Sequence, residues 1–389
     1  MVNGKFGVGI IGCGVIATAH AAAYKQFPND CELIAVADVR REPAEKLMRQ
    51  FSIPHFYSDW KDLLSDDRID IVSICTPHHL HFPMTVAAAQ SGKHVLCEKP
   101  MAITVGEAHE MIQACRNNHV RLSIASERFN PRHRFIKEQV MPELGPISFS
   151  WLVDFYYRDT AYYAAAAWRG NWAKSGGGVC ANQAIYTWDM WQWFLGGVQY
   201  AYGYWGNILH PTIEVDDIAF GLVTFTDGSY GKFLATTCWD WDPQKAGLRI
   251  FGEKGVVFAS DPWLYQINFR LYDANRDALL RKEFESVCDP DYRGGSHPWQ
   301  VADLIEAIRQ GRDTLVPEAL EPLKILQGLY GHGSYYRTRL EEWVRTMDLP
   351  PSVEEGKREG WQGGCLLQVL EPLVKDPSPT LMVPFSGEQ

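Results

Sequence analysis

The stretch Phe6–His20, FGVGIIGCGVIATAH, decides the fold. The apolar run Phe6–Gly12 reads as a buried strand, and the Ala-rich segment Val15–Gln26 reads as a helix. Between them, Gly12-Cys13-Gly14-Val15-Ile16-Ala17 fits the pattern G-x-G-x-x-G/A. In that pattern Gly12 allows a tight turn, Gly14 lets the backbone approach a pyrophosphate, and Ala17 keeps helix and strand close. The helix N-terminus offers unpaired N–H groups and a positive dipole end to the phosphates. Asp38 ends the next apolar run. An acid there accepts hydrogen bonds from the adenine-ribose hydroxyls and repels a 2′-phosphate. Arg40 and Arg41 follow at once and could clamp such a phosphate. NAD is therefore the expected cofactor, with NADP left open.

The same rhythm continues outward. Glu32–Asp38, Asp70–Pro77, His94–Pro100 and Arg121–Ala125 are further strand-like runs, separated by helical segments near 41–51, 82–90 and 105–117. Continuous apolar strands alternating with helices predict a parallel sheet covered on both faces, a doubly wound α/β domain. After Pro131 the pattern changes. Ile147–Arg158 reads as a long strand, Ile218–Trp239 as a hairpin turning at Thr226-Asp227-Gly228, and Leu248–Ser260 as a hairpin turned by residues 252–255, GEKG. Helices are expected near Pro298–Gln310 and Pro317–Thr346, and the last forty residues read as an irregular tail. The expected fold class is thus α/β. A Rossmann-type dinucleotide-binding domain over 1–130 precedes an α+β domain over 131–389, built on a mostly antiparallel sheet.

The 389 residues favour two domains over one. A net charge of −10 argues against nucleic acid or an anionic membrane as partner. No apolar run reaches the roughly 20 residues that span a bilayer. No basic segment followed by an apolar one opens the chain, so no signal peptide is expected. Nine cysteines are scattered without a C-x-x-C pair, which suits a reducing cytoplasm. The 14 tryptophans fall mostly after residue 150, and an indole face there could stack on a substrate ring.

Three stretches carry candidate chemistry. Cys97-Glu98-Lys99-Pro100 closes an apparent strand at the edge where a doubly wound sheet binds its ligand, and a Lys there can hold a hydroxyl or carbonyl oxygen. His78-His79-Leu80-His81 lacks Cys or carboxylate partners at ligand spacing, so no metal is expected. GGGVCANQAIYTWDMWQWFLGG, residues 176–197, leads three glycines into an apolar stretch. A helix starting after Gly178 would set Asn182, Tyr186 and Asp189 on one face, with Trp188, Trp191 and Trp193 free to pack elsewhere.

GCGVIA, Asp38, TPHHLH with CEKP (76–100), GGGVCANQAIYTWD (176–189) and VDDIAFGLVTFTDGSYG (215–231) together resemble the Gfo/Idh/MocA family, named for glucose–fructose oxidoreductase and inositol dehydrogenase. The resemblance runs from about residue 5 to 340 and implies a Rossmann domain followed by an open-faced sheet. It implies a homo-oligomer, dimer or tetramer, formed through that sheet. It further implies NAD(P)-dependent oxidation or reduction of a secondary hydroxyl on a sugar, glycoside or cyclitol. The cofactor would be held by Gly12, Gly14, Val15, Ile16, Asp38, Val39, Arg40, Thr76, Pro77, His81, Glu98 and Lys99. The substrate would meet Lys99, Arg169, Asn182, Tyr186 and Asp189, with Lys174 and His297 as weaker candidates. The family's helix pattern places Asp, three residues, then His, where this sequence has Asn182 and Tyr186. The Tyr is similar to the glucose–fructose oxidoreductase branch.

On this reading Tyr186 is the acid/base, Lys99 its electrostatic partner and Asn182 an orienting amide. A free phenol has a pKa of ~10 and is a poor base at neutral pH. A cation about 4 Å away is worth roughly 4 kcal/mol at an effective dielectric of 20, enough to lower that pKa. Two other readings stay open: a dinucleotide-binding regulator, and an enzyme that cleaves a glycosidic bond after oxidation.

Overall fold

A computed structural model describes residues 4–240, 246–261, 264–287 and 295–316, together with 322, 323, 325, 326, 329, 383 and 384. The first sheet has six parallel strands: β1 (Phe6–Ile11), β2 (Cys31–Ala37), β3 (His55–Tyr57), β4 (Ile71–Ile74), β5 (His94–Cys97) and β6 (Leu122–Ile124). Their spatial order is β3-β2-β1-β4-β5-β6, the Rossmann order. All six residues of β1 and all four of β4 are buried, as strands covered on both faces must be. Neighbours diverge between β1 and β4, which opens a crevice at their carboxyl ends, where doubly wound folds bind ligands.

The covering helices are α1 (Val15–Tyr24), α2 (Arg41–Phe51), α3 (Trp60–Leu64), α4 (His81–Gln90) and α5 (Val105–Asn117). Ala17, Ala21 and Tyr24 of α1 join Val8, Ile10 and Leu33 in one core. Leu63, Met84, Ala88 and Met111 fill the opposite face in a second core. Helix α5 starts at Thr104, whose side chain accepts from the Glu107 N–H while Glu107 reaches back, a complete capping box.

Helix α6 (Pro131–Phe135) leads into β7 (Ile147–Phe155), then α7 (Thr160–Ala164), α8 (Trp172–Ser175) and α9 (Ile185–Leu195). There follow β8 (Val198–Gly206), β9 (Ile218–Phe225), β10 (Tyr230–Thr236), β11 (Gly247–Gly252), β12 (Gly255–Phe258) and β13 (Asn268–Leu271). Helices α10 (Ala274–Val287) and α11 (His297–Gln310) come next, and β14 (Val383–Pro384) ends the described chain. The second sheet has the order β13-β12-β11-β7-β10-β9-β8-β14. Every pairing is antiparallel except β7 with β10. Alternation sorts the strands into two faces. Trp188 and Trp191 of α9 pack edge-on to Phe233 and Phe225 of the inner face, at 4.8 and 5.0 Å between ring centroids. Losing such a buried indole costs about 3–5 kcal/mol. On the outer face Leu222 and Tyr230 stand 58% and 63% exposed.

Both expected hairpins form, and the long strand ends at Phe155 because Asp159 caps α7 by accepting the Tyr162 N–H. Strands β3, β8 and β13 and helix α10 are additions to the sequence reading. Helix α11 lies beyond the expected division at 130, yet its Val301, Leu304 and Ile305 belong to the core of the first sheet. Of the helix expected over Pro317–Thr346, residues 322, 323, 325, 326 and 329 are helical, and the rest lies outside the described residues. The tail is likewise outside them, save for β14.

Candidate active site

Gly12 closes β1 with φ +89°, and a Cβ there would sit 2.7 Å from the Cys75 carbonyl oxygen. Only glycine meets both conditions. Gly14 is the N-cap of α1 and uses no side-chain cap; a Cβ on it would meet nothing within 4 Å. No side chain caps the first N–H groups of α1, which are the donors a phosphate would use. Val15 and Val39 flank this opening in sequence and are 93% and 89% exposed, apolar surface that a bound dinucleotide would cover. The Asp38 carboxylate accepts from the Cys13 and Arg40 N–H groups, each at 2.8 Å, which ties the acid to the glycine loop. Arg40 lies 3.8 Å from Asp38, whereas Arg41 is paired with Glu45 at 2.7 Å. These residues fit a dinucleotide.

Two of the expected cofactor contacts have their polar atoms taken by protein groups. His81 is buried, with Nδ1 at 2.8 Å from the Pro100 carbonyl and Nε2 at 2.9 Å from that of Thr76. It braces the loops after β4 and β5 against each other. Glu98 is buried with Oε1 between His20 Nε2, 3.0 Å, and His297 Nε2, 3.2 Å. Burial alone would raise the Glu98 carboxyl, but the two imidazole hydrogen bonds outweigh it and hold it well below the usual carboxylate range. Its Oε2 accepts the Lys99 N–H at 3.2 Å. Glu98 thus holds the lysine backbone and two imidazoles, and His297, named above as a substrate candidate, belongs to the same cluster.

Lys99 follows β5 and precedes a cis peptide to Pro100. Its Nζ donates to the Asn182 backbone carbonyl at 2.8 Å and lies 4.5 Å from the Tyr186 ring centroid. Burial pushes its ammonium down to about 8, with Glu98 opposing and Arg158 adding to the shift. The Tyr186 phenol moves the other way, well above its ordinary value, through burial first and then the charges of Glu98 and Glu127. The expectation that Lys99 would lower the phenol is thereby reversed. The cation sits against the ring, and burial favours the neutral form of both groups.

Segment 176–197 is two pieces, not one helix. A π-helical turn over Val179–Gln183 precedes α9, so Asn182 is offset from the face carrying Tyr186 and Asp189. Its start is clamped by Asp216, a fully buried acid that accepts from the Gly178 N–H at 2.6 Å and the Cys180 N–H at 3.2 Å. A Cβ on Gly178 would fall 1.8 Å from the Asp216 carbonyl oxygen. The Asn182 amide donates to the Tyr162 hydroxyl at 3.2 Å, beside the Gln183 amide at 3.0 Å. Asp189 pairs with Arg128 through both oxygens and accepts from Ser126 at 2.8 Å. That carboxylate anchors α9 and has little left for a substrate hydroxyl. His78 and His79 engage the Ser175 and Lys174 carbonyls at 2.7 and 3.3 Å, fastening the two sheets' loops together.

Residues 6–126 match a family model described as "Oxidoreductase family, NAD-binding Rossmann fold", and residues 143–258 match "GFO/IDH/MocA C-terminal domain". The chain belongs to the GFO/IDH/MocA family. Its first domain is the family's NAD-binding domain, and the chain is an oxidoreductase. Levoglucosan dehydrogenase from Pseudarthrobacter phenanthrenivorans is 26% identical over 330 residues, 75% of this chain and 81% of that protein. Myo-inositol 2-dehydrogenase from Thermotoga maritima is 26% identical over 261 residues, 65% of this chain and 75% of that protein. Among solved structures, the WlbA dehydrogenase of Bordetella pertussis in complex with NADH and UDP-GlcNAcA superposes with TM-score 0.76 at 26% identity, covering 86% of this chain and 97% of that one.

Within this GFO/IDH/MocA member several working residues escaped the sequence reading. Asp216 lay in a quoted motif, VDD, but its buried partners sit 36 to 38 residues away. Tyr162, Gln183, Arg128 and His20 gave no local signal, because each is defined by a partner on another element. Arg158 closes the long strand-like run and was legible only as its last charge. Arg169 was named; its guanidinium lies 4.2 Å from the Tyr162 ring and donates to the Tyr162 carbonyl at 2.9 Å. Trp188 and Trp191 serve the core, not a sugar. Among the described residues no helix is long and apolar enough to cross a membrane.

Proposed function

We propose that this GFO/IDH/MocA member interconverts a secondary hydroxyl and a ketone on a sugar, glycoside or cyclitol, using NAD. The observation that carries the reading is the Lys99 amine seated on the Tyr186 ring, at the carboxyl end of β5 beside the nucleotide crevice. A bound NAD would supply the hydride acceptor for the carbinol carbon. The hydroxyl must lose a proton in the same event, and the chain supplies the groups for it. Lys99, held near pH 8, is the acceptor that can be neutral under ordinary conditions. Tyr186 stays protonated and donates a hydrogen bond to the reacting oxygen; in ketone reduction the Lys99 ammonium returns the proton to that oxygen. Asn182 holds Tyr162 and, through its carbonyl, Lys99; Asp189 keeps α9 in place. Relatives named as levoglucosan and inositol dehydrogenases support a polyhydroxylated ring as substrate.

Assembly through the outer face of the second sheet is part of the proposal, since Leu222 and Tyr230 stand exposed there. The test of function is a screen of sugars and cyclitols by reduced-nicotinamide absorbance, with Tyr186→Phe beside the parent protein. Turnover of a polyol, reduced roughly a hundredfold or more by the substitution while NADH still binds, is the expected result. Near-normal turnover in Tyr186→Phe removes the phenol from the chemistry. Tight cofactor binding with no polyol turned over favours a regulator.

A further inference from the structure

We propose that Arg158 and Arg169 form an oxyanion subsite beside Lys99, so that the preferred substrate is a sugar bearing a carboxylate or phosphate. Both guanidiniums lie on one phenol: their central carbons are 4.8 and 4.2 Å from the centroid of the Tyr162 ring. That phenol is wired to the reaction centre. Its hydroxyl accepts from the Asn182 amide, and the Asn182 carbonyl accepts from Lys99 Nζ. Two guanidiniums are thus linked through Tyr162 and Asn182 to Lys99, in a chain whose net charge is −10.

Among the described residues neither arginine has a counter-charge within 4.0 Å. Arg41, Arg68, Arg128, Arg276 and Arg281 each lie within 4.0 Å of an Asp or Glu. Arg158 and Arg169 have no such partner among the described residues and donate only to backbone carbonyls, each at 2.9 Å. The Arg158 Nε–H is buried with no acceptor among those residues. The neighbouring carboxylate, Asp159, accepts the Tyr162 N–H at the start of α7 and lies beyond 4.0 Å of either guanidinium. Two guanidiniums against one ring, with one buried donor unmet, are a configuration that an anion relieves. A guanidinium presents a planar fork that fits carboxylate or phosphate oxygens in pairs. The hydroxyls of a neutral sugar supply no such charge.

The proposal rests on the dehydrogenase reading for the fate of the sugar but not for its binding. The test therefore reads binding and turnover separately. Glucuronate, glucose and a hexose phosphate are titrated calorimetrically into the NADH-loaded full-length chain, and then offered with NAD for oxidation. We expect one of the two acidic sugars to bind at least about tenfold tighter than glucose, as a charge-assisted contact does. Which acid gains identifies carboxylate or phosphate as the oxyanion. That preference should fall toward unity in Arg158→Gln and Arg169→Gln and shrink as salt is raised. Arg158→Lys, which keeps the charge but loses the fork, should retain only part of it. NADH affinity in each variant checks that the fold stands. Equal binding of acid and neutral sugars by the parent protein overturns the subsite, as does an acid preference that survives both glutamine variants. Acid preference without turnover upholds the subsite and rejects the dehydrogenase reading; oxidation of neutral sugars without acid preference does the reverse.

Discussion

The Lys99 Nζ sits 4.5 Å from the centre of the Tyr186 ring and 2.8 Å from the Asn182 carbonyl oxygen. Those contacts suit either protonation state of the amine, and burial tips it toward neutral, to about 8. On the proposed mechanism oxidation needs the neutral amine, so its rate constant kcat/KM should rise with pH and level off above about 8. Ketone reduction should show the opposite slope. Lys99→Arg remains charged throughout and should lose on the order of a hundredfold or more with no inflection. Steady-state profiles at saturating NAD check this; a rate already level at pH 6 would sink it.

On the proposed reading Asp38 sets cofactor choice. Its carboxylate faces the glycine loop with Arg40 3.8 Å away, so an added 2′-phosphate meets a negative charge before it meets a positive one. Asp38→Ala removes the repulsion and leaves Arg40 available. The ratio of kcat/KM for NADP over NAD should rise by roughly ten- to a hundredfold. An unchanged ratio would place discrimination elsewhere.

Gly178 admits no side chain. Alanine there would drive its Cβ into the Asp216 carbonyl, 1.8 Å away, and push open the turn that Asp216 caps. A loss of about 3 kcal/mol is expected, seen as a fall of several degrees in Tm. Because the turn carries Asn182, the Lys99 contact should loosen as well, and the pH inflection of oxidation should move back toward that of an ordinary lysine. A variant with parent-like Tm would contradict the clamp.

Asp154 lies buried in β7, its Oδ2 accepting from Thr187 at 2.5 Å, and burial pushes its carboxyl up to about 8. The folded chain then holds a proton that the unfolded chain loses near the ordinary 3.8. This contribution to stability is complete below that ordinary value and declines as pH rises to about 8. Asp154→Asn cannot titrate. Its Tm relative to the parent should climb across that window and then hold level; parallel Tm curves would show that Asp154 does not titrate there.

The two kinds of sheet were legible because their signals are local. Uninterrupted apolar runs marked β1, β2 and β4, and glycine turns marked the β9–β10 and β11–β12 hairpins. Strand β3 is three residues of aromatic and His, too short to show a period, and α10 has few buried positions to mark a face. At the site, Lys99 and Tyr186 were found by motif, but their protonation was not. That depends on Glu98, His20, His297 and Arg158, which come from four separate places in the chain. Asp189 was read as facing substrate, since nothing nearby in sequence announces Arg128 as its partner.

Helix α11 has a consequence for how the protein is made. Its Val301, Leu304 and Ile305 fill the same core as Val8 and Ala17, and its His297 grips the carboxylate next to Lys99. A ribosome that has released the first six strands has delivered a nucleotide domain with a bare flank and a half-held Glu98. The amino-terminal domain must wait for some three hundred residues of synthesis before it can close, so it is completed together with its neighbour and not ahead of it.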